Sequence, residues 1–215
     1  MEINWYGHAC FRLKDRNLTV VCDPYDKSIG LTLPRLRADV VTVSHQAPGH
    51  SYVDGVKEWR NVFSGPGEYE VENVFITGIP TYHGKDPDTA SEPNTVFLFE
   101  FSDAIVCHLG DLGHVLTESQ VEALPGIDVL LIPVGGRNTL DASRAAEVIS
   151  IVEPSIVVPM HYRMPGTAQH LDPLDRFLKE MGVPAPEPVA VLKAVKGQLP
   201  TETQVVVMDA KQVDK

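Results

Sequence analysis

Five side chains able to ligate a metal stand just beyond apolar runs that are predicted to be buried strands. In chain order they are His45 and His50 after the run 40–44, His83 after 74–79, Asp111 after 104–109, and His161 after 156–160. In layered α/β folds ligands collect beyond the carboxyl ends of strands, so these side chains are expected to converge in one cleft. Imidazole nitrogens that share a carboxylate suit Zn, Mn or Fe. The spacing therefore predicts a site for a divalent transition metal, with zinc the leading candidate.

Other polar residues have simpler explanations. A lone histidine is more often a surface or hydrogen-bonded core residue, and only the repeated placement at strand ends favours a site. His108 and His114 flank Asp111 and are expected to form supporting hydrogen bonds or to point elsewhere. Glu68 and Glu70 in the segment GPGEYE could form a carboxylate pair for acid–base work, but the Gly-Pro-Gly context favours a structured turn.

The composition excludes several classes of function. The 215 residues carry a net charge of -11, and the basic residues are scattered, which argues against a nucleic-acid partner. No N-terminal segment resembles a signal peptide and no apolar run is long enough to span a membrane, so we expect a cytoplasmic protein with no membrane partner. The three cysteines lie in apolar runs without a CxxC pair, as is typical of buried thiols in a reducing compartment.

The chain is predicted to form one α/β domain over residues 1–215. Short apolar runs predict strands at 3–6, 10–13, 18–22, 40–44, 74–79, 95–101, 104–109, 129–134, 156–160 and 204–208. Helices are predicted at 118–123, where Thr117 and Gln120 form a capping box, at 142–151 after Asp141, and at 173–181 after Asp172. Hairpins in the first half and alternating strands and helices in the second favour layered, partly parallel sheets.

A set of motifs gives the chain a family resemblance. They are 5–13 (WYGHACFRL), 21–25 (VCDPY), 44–51 (SHQAPGHS), 64–70 (SGPGEYE), 78–84 (GIPTYHG), 108–113 (HLGDLG), 128–136 (DVLLIPVGG) and 157–162 (VVPMHY). In this order they resemble the metallo-β-lactamase superfamily, in the branch of small bacterial hydrolases that includes the ascorbate-6-phosphate lactonases. The resemblance runs from residue 1 to about residue 181. It implies a four-layer αββα sandwich with a dinuclear metal centre in a shallow cleft between the sheet edges.

The metal-binding motif of that family is degenerate in this chain. The family pattern is His-x-His-x-Asp-His, and His45 and His50 match its first and last histidines. Ala47 stands at its middle histidine and Gly49 at its aspartate, and neither can ligate a metal. The family's other ligands match His83, Asp111 as the bridging carboxylate, and His161, while His8 in the GHA turn is expected to support the site or the fold.

The loss of two ligands changes the expected metal content. By the family's pattern one metal would keep His45, His83 and Asp111, and the other would keep His50, Asp111 and His161. Three protein ligands and a water are sufficient for catalytic zinc. However, Asp111 is shared, and without a carboxylate at position 49 less negative charge offsets the repulsion between two dications. We therefore expect at most one tightly bound metal per chain.

Two functions remain open from the sequence. The first is a hydrolase of an ester, lactone or phosphoester, in which metal-bound hydroxide attacks a small-molecule substrate and Asp111 and His161 belong to the catalytic centre. The second is a binding or scaffold protein that keeps the fold and has abandoned catalysis, which the missing ligands at Ala47 and Gly49 favour. A homo-oligomer is compatible with either. The metal content of the purified protein distinguishes them.

Overall fold

The computed structural model describes residues 1–84 and 92–212. Within them the chain forms fifteen strands, which are β1 (Glu2–Trp5), β2 (Phe11–Lys14), β3 (Thr19–Cys22), β4 (Leu36–Arg37), β5 (Val40–Thr42), β6 (Val56–Lys57), β7 (Asn61–Phe63), β8 (Gly67–Val71), β9 (Val74–Tyr82), β10 (Pro93–Glu100), β11 (Ile105–His108), β12 (Val129–Pro133), β13 (Ile156–Met160), β14 (Leu192–Lys193) and β15 (Gln204–Val205). The helices are α1 (Glu118–Glu122), α2 (Ala142–Val152) and α3 (Leu174–Glu180).

Two mixed sheets contain most of the strands. The first has the order β14-β1-β2-β3-β5-β7, and the second has the order β15-β13-β12-β11-β10-β9-β8. A small parallel pair, β4 and β6, stands apart from both. The main hydrophobic core contains residues of both sheets, from Ile3 and Phe11 in the first to Phe97 and Val157 in the second. This agrees with the layered, partly parallel sheets that the sequence predicts.

The centre of the first sheet is buried on both faces, where β3 and β5 are continuous apolar runs. In β3, Val20 belongs to the main core, whereas the next residue, Val21, belongs to a second cluster outside the sheet. Val40 and Val41 divide in the same way in β5. Short 3₁₀ helices at Lys27–Ile29 and Val53–Gly55 contribute to that outer cluster. The outer layer on this side is therefore thinner than the long helices of an idealised αββα sandwich.

The helices follow their predicted signals with one exception. Thr117 and Gln120 form the capping box of α1. Asp141 caps α2 by accepting a hydrogen bond from the Arg144 N–H, and this helix packs against α3. Asp172 does not cap α3, because the N-cap is Pro173. Its carboxylate instead pairs with Arg176 at 2.6 Å.

Several strands have no signal in the sequence or were not predicted from it. The strands β4, β6, β7 and β14 are only two or three residues long and show no alternation to detect. The expectation of a structured turn at Glu68 and Glu70 was wrong, since both lie in β8, which pairs antiparallel with β9. Tyr69 is half-buried between these two exposed glutamates and stacks on Phe63, with 4.0 Å between the ring centroids. The alternation of polar and apolar residues in the segment 68–71 is a strand signal that the sequence does contain.

The strand directions create one common edge for the site. Strands β1, β3 and β5 run the same way, because β2 is antiparallel to both β1 and β3 while β5 is parallel to β3. In the second sheet β9, β11, β12 and β13 also share one direction. Backbone hydrogen bonds join the two edges, from the His161 N–H to the His8 carbonyl at 3.1 Å and from the Thr95 N–H to the Ser44 carbonyl at 2.8 Å. The carboxyl ends of seven strands therefore lie around one cleft.

No helix in the described part of the chain is both long enough and apolar enough to cross a membrane.

Candidate metal centre

A buried carboxylate, that of Asp111, lies at the centre of the cluster. Its Oδ2 lies 3.3 Å from Nε2 of His50 and 3.7 Å from Nε2 of both His45 and His83. Its Oδ1 lies 3.3 Å from Nε2 of His161. The structure thus brings together all five residues that the strand-end pattern selected. All of them are buried except His83, which is partly exposed.

The loop after β11 fixes Asp111 in this position. Asn94 of β10 accepts a hydrogen bond from the Asp111 N–H at 2.9 Å and donates one to the Leu109 carbonyl at 3.0 Å. Gly110 adopts φ 58° beside Ser44, and a Cβ there would approach the Ser44 side chain to 2.4 Å. His108 donates through Nε2 to the Ala9 carbonyl and accepts from the Gly110 N–H. The loop is therefore held by both sheets.

Asp23, which directly follows β3, orients His50. Its carboxylate accepts hydrogen bonds from Nδ1 of His50 at 2.7 Å, from the Ser44 hydroxyl at 2.5 Å and from the Ser44 N–H at 2.8 Å. With Nδ1 engaged, His50 turns Nε2 toward Asp111. A carboxylate behind a ligand histidine fixes its tautomer and increases its basicity, which is the usual support in metal sites.

His8 lies inside the cluster rather than behind it. Its Nε2 is 3.0 Å from Nε2 of His50, and its ring centroid is 4.3 Å from that of His161. The ligand atoms of these three histidines lie within 4.8 Å of one another, as do those of His45, His83 and Asp111. The site therefore contains two candidate ligand trios side by side. This differs from the role expected of His8 from the sequence, which was to support the site or the fold.

Three residues of the site adopt left-handed backbone conformations. The φ angles are 53° at His8, 45° at Asp23 and 52° at His161. Asp23 and His161 directly follow β3 and β13, and His8 lies in the turn after β1. Such conformations cost free energy on the order of 1 kcal/mol or more in residues with a Cβ, and they cluster at functional sites. The backbone is strained where these side chains are aimed into the cleft.

The charges of the cluster suit cation binding. Burial raises the pKa of Asp111, but His161 and His50 outweigh it and hold that pKa well below its usual value, so the carboxylate is ionised. Burial lowers the pKa of His161 to about 4 and also lowers the pKa values of His8 and His45. These imidazoles are neutral near pH 7. Burial likewise opposes protonation of His50, but Asp111 and Asp23 raise its pKa to about 10, so a metal bound through Nε2 would take the place of a proton.

The donor set fits a divalent transition metal. Oδ1 of Asp111 and both ring nitrogens of His161 are buried and have no hydrogen-bond partner within the described residues. Buried polar atoms nearly always have a hydrogen-bond partner. Oδ1 of Asp111 and Nε2 of His161 lie 3.3 Å apart without one, as expected of two atoms that bind the same cation. Imidazole nitrogens around a carboxylate are the ligands that zinc and iron take in proteins.

Two further histidines act in the fold. His108 ties the Asp111 loop to Ala9, as described above. His114 accepts a hydrogen bond from the Tyr82 N–H at 3.3 Å and donates to the Val115 carbonyl at 2.8 Å. Both rings are used by backbone groups, in agreement with their expected supporting role. Gln46 is exposed.

A polar cleft of about 270 Å³ opens onto the cluster at His83, Asp111 and His161. Its far wall is the segment 136–139, where Arg137 is exposed and adopts φ 61°. Within the described residues Arg137 has no hydrogen bond or ion pair. Gln169 also lines the cleft, and its Oε1 is buried without a partner among the same residues. The cleft thus offers a cation and an amide next to the candidate ligands.

The chain is similar to known proteins over most of its length. A UPF0173 protein of Pyrococcus furiosus is 29% identical over 209 residues, covering 84% of this chain and 90% of that protein. A UPF0173 metal-dependent hydrolase of Thermoplasma acidophilum is 28% identical and covers 75% of this chain and 83% of its own. A crystal structure from Thermotoga maritima, assigned to the Zn-dependent hydrolases of the metallo-β-lactamase superfamily, is 42% identical with a TM-score of 0.79, covering 96% of this chain and 97% of that one.

Residues 2–161 match the family described as the beta-lactamase superfamily domain. That stretch includes β1 through β13 and ends at His161, so it contains both ligand trios. The chain therefore belongs to the beta-lactamase superfamily domain family and has the metallo-β-lactamase fold.

Proposed function

We propose that this protein is a metal-dependent hydrolase of an ester, lactone or phosphoester, with His45, His50, His83, Asp111 and His161 as metal ligands. The observation that carries the proposal is the convergence of four imidazole Nε2 atoms on one ionised, buried carboxylate at 3.3–3.7 Å. The names of the relatives support it, since several are called metal-dependent hydrolases. Zinc is the first candidate, with manganese and iron as alternatives.

The bound cation would lower the pKa of a coordinated water and stabilise the negative charge that develops on the substrate oxygen. The chain's own residues prepare that chemistry. Asp111 supplies a negative charge that both trios share. His161 remains neutral because burial lowers its pKa to about 4, so one of its ring nitrogens keeps a free lone pair for a cation. Asp23 holds His50 with Nε2 directed into the site.

The cleft supports a small substrate with an anionic or strongly polar group. Arg137 at the rim lacks a carboxylate partner among the described residues and can pair with a phosphate or carboxylate. Gln169 provides an amide for a polar group beside it. This fits the expected small-molecule substrate, and a phosphoester, a lactone that carries an acid group or a similar ester would satisfy the same two residues.

Metal analysis and a panel of chromogenic substrates test the proposal. The protein is stripped with chelator, reloaded with Zn²⁺, Mn²⁺ or Fe²⁺, and assayed with aryl esters, lactones and phosphodiesters. We expect turnover that needs metal and falls at least about 100-fold in Asp111→Asn and His161→Ala. His170→Ala removes an exposed histidine and serves as the control.

The alternative is a binding or scaffold protein with the same fold. Ala47 and Gly49 favour it, because two ligand positions of the family pattern are empty of donors. A protein that retains metal yet turns over none of the three substrate classes would favour this alternative. A protein that retains no metal at all would contradict the hydrolase.

A further inference from the structure

His8 occupies the place of the missing carboxylate in the metal-binding motif. An ideal Cβ on Gly49 would lie 2.6 Å from Nε2 of His8 and 3.2 Å from its Cδ2. A Cβ essentially never lies within 3.0 Å of another heavy atom, so one of the two groups would have to shift. Any side chain at position 49 would therefore extend into the imidazole of His8. In this chain the His8 ring therefore fills the space that a side chain at position 49 would need.

The spacing of His8 and His50 is that of two ligands on one ion. Nitrogens bound to tetrahedral zinc at about 2.0–2.1 Å lie about 3.3 Å apart. The Nε2 atoms of His8 and His50 face each other at 3.0 Å. Nε2 of His50 is also 3.3 Å from Oδ2 of Asp111, whose other oxygen lies 3.3 Å from Nε2 of His161. Three imidazoles and one carboxylate thus surround one small volume.

The backbone of His8 is anchored for this purpose. Its carbonyl accepts hydrogen bonds from Nε1 of Trp5 at 3.0 Å and from the His161 N–H at 3.1 Å. These bonds hold the left-handed conformation at His8 and connect its turn directly to another ligand. A residue that only filled the core would not need to be fixed to His161 with its ring nitrogen facing the ligands.

We propose that His8 is a metal ligand that replaces the family aspartate at position 49. Together with His50, His161 and Asp111 it completes a four-ligand site, whereas His45, His83 and Asp111 form a three-ligand site. The inference rests on the proposed function, because it assumes that the cluster binds metal. The two sides of the cluster should therefore differ in metal affinity. The first metal equivalent binds on the His8 side, and the second binds weakly beside it, because only the shared carboxylate of Asp111 offsets the repulsion between the two cations.

Metal titration of position 8 and position 49 variants tests this assignment. His8→Gly keeps the left-handed backbone without strain. We expect it to weaken binding of the first Zn²⁺ equivalent roughly 100-fold or more, a larger loss than the 10–100-fold typical of supporting residues. The visible spectrum of the Co²⁺-loaded protein should change as well, because an imidazole leaves the coordination sphere. The matched control is Glu153→Gly, which makes the same backbone change at φ 50° on the exposed end of α2.

A double variant tests whether a carboxylate at position 49 restores Zn²⁺ binding once His8 is removed. Gly49→Asp alone should fail to gain affinity, because its side chain meets the His8 ring. The double variant His8→Gly with Gly49→Asp should recover first-equivalent Zn²⁺ affinity to within about 10-fold of the original, because the new carboxylate enters the vacated space. His8→Gln is a second test of the ligand role, should His8→Gly fold poorly by circular dichroism.

The outcomes separate the two proposals. Unchanged first-equivalent Zn²⁺ affinity and Co²⁺ spectrum in folded His8→Gly or His8→Gln would overturn the assignment of His8 while leaving the metal-dependent hydrolase intact. Failure of the unmodified protein to bind Zn²⁺ or Co²⁺ would overturn both.

Discussion

Asp23 lies behind His50, and its carboxylate accepts a 2.7 Å hydrogen bond from Nδ1 while Nε2 of the same ring faces Asp111. Both partners are buried, and Asp23 is also bonded to Ser44. The pair connects the end of β3 to the loop after β5 and sets the tautomer that metal binding requires. It is therefore expected to control metal affinity without touching the metal.

Asp23→Asn is expected to weaken Zn²⁺ binding roughly 10–100-fold, because the amide is a weaker acceptor and no longer increases the basicity of His50. Competition with a chromophoric chelator measures the change. Asp54→Asn, in the exposed 3₁₀ helix at Val53–Gly55, removes the same charge away from the site and should leave affinity unchanged. Equal affinity in both variants would show that the Asp23–His50 contact serves the fold alone.

The metal-free protein is expected to lose stability as the pH rises from about 6.5 toward 10. His50 has its pKa raised to about 10 in the folded state, from 6.5 unfolded, so the folded protein binds a proton that the unfolded chain has released. The stabilisation is complete below pH 6.5 and is lost as the pH rises through 10. Below 6.5 the sign reverses, because the pKa of His161 is lowered to about 4 and the unfolded chain then binds the additional proton.

Thermal unfolding in chelator over this pH range measures both limbs. Tm should be highest near pH 6.5 and fall on either side. His50→Gln should flatten the alkaline limb, whereas an acid limb should remain because burial still lowers the pKa of His161. An alkaline limb of the same steepness in that variant would contradict the role assigned to His50.

The strand-end rule predicted most of the candidate site, and the residues it missed obey the same rule. Asp23 directly follows β3, and His8 lies three residues after the end of β1. Both were detectable by the argument that selected His161. The family pattern does not indicate them, because it gives His8 no ligand role and places the aspartate at position 49. Only the contact between a Cβ at Gly49 and the His8 ring connects His8 with the missing carboxylate at position 49, and a sequence does not contain that contact.

The strands that could be predicted from the sequence are those that consist of apolar runs. Strand β13 was predicted to the residue, and β12 to within one, because both are continuous apolar segments of five residues. The two-residue strands β4, β6 and β14 have no pattern of their own, because each is defined by its pairing with a strand far away in the sequence. Tertiary hydrogen bonding alone defines them.

Metal removal is expected to leave the fold in place. The core formed by Phe97, Phe99, Val157 and their neighbours of both sheets does not involve the metal cluster. A bound metal adds stability only as the logarithm of its concentration over its Kd. Chelator should therefore lower Tm by a few degrees and leave the far-ultraviolet circular dichroism spectrum unchanged. Collapse of that spectrum on chelation would contradict this prediction.

Arg137→Ala is expected to raise KM for anionic substrates roughly 3–10-fold, with little change in kcat, because an exposed cation at the rim binds ground state and transition state alike. Steady-state kinetics with a charged and a neutral ester of the same alcohol isolates the effect. Arg16→Ala is the control, since Arg16 is exposed in the turn between β2 and β3, at the opposite edge of the sheet. A KM increase of equal size for the neutral ester would argue against charge recognition.

Ala47→His is expected to strengthen the second, weaker metal equivalent. Ala47 is half-buried in the turn between His45 and His50, where the family pattern has its middle histidine, and a new imidazole there would bring the His45–His83–Asp111 side to four ligands. The change leaves His8 and Gly49 untouched, so it avoids the collision that Gly49→Asp would cause. Isothermal titration with Zn²⁺ should show the second Kd lowered about 10-fold or more while the first stays constant. Tyr52→His, on the exposed continuation of the same loop, controls for adventitious binding by an added histidine. If Ala47→His folds but titrates like Tyr52→His, the loop at 45–50 no longer directs position 47 into the cleft, and the His8 side is then the functional half of the site.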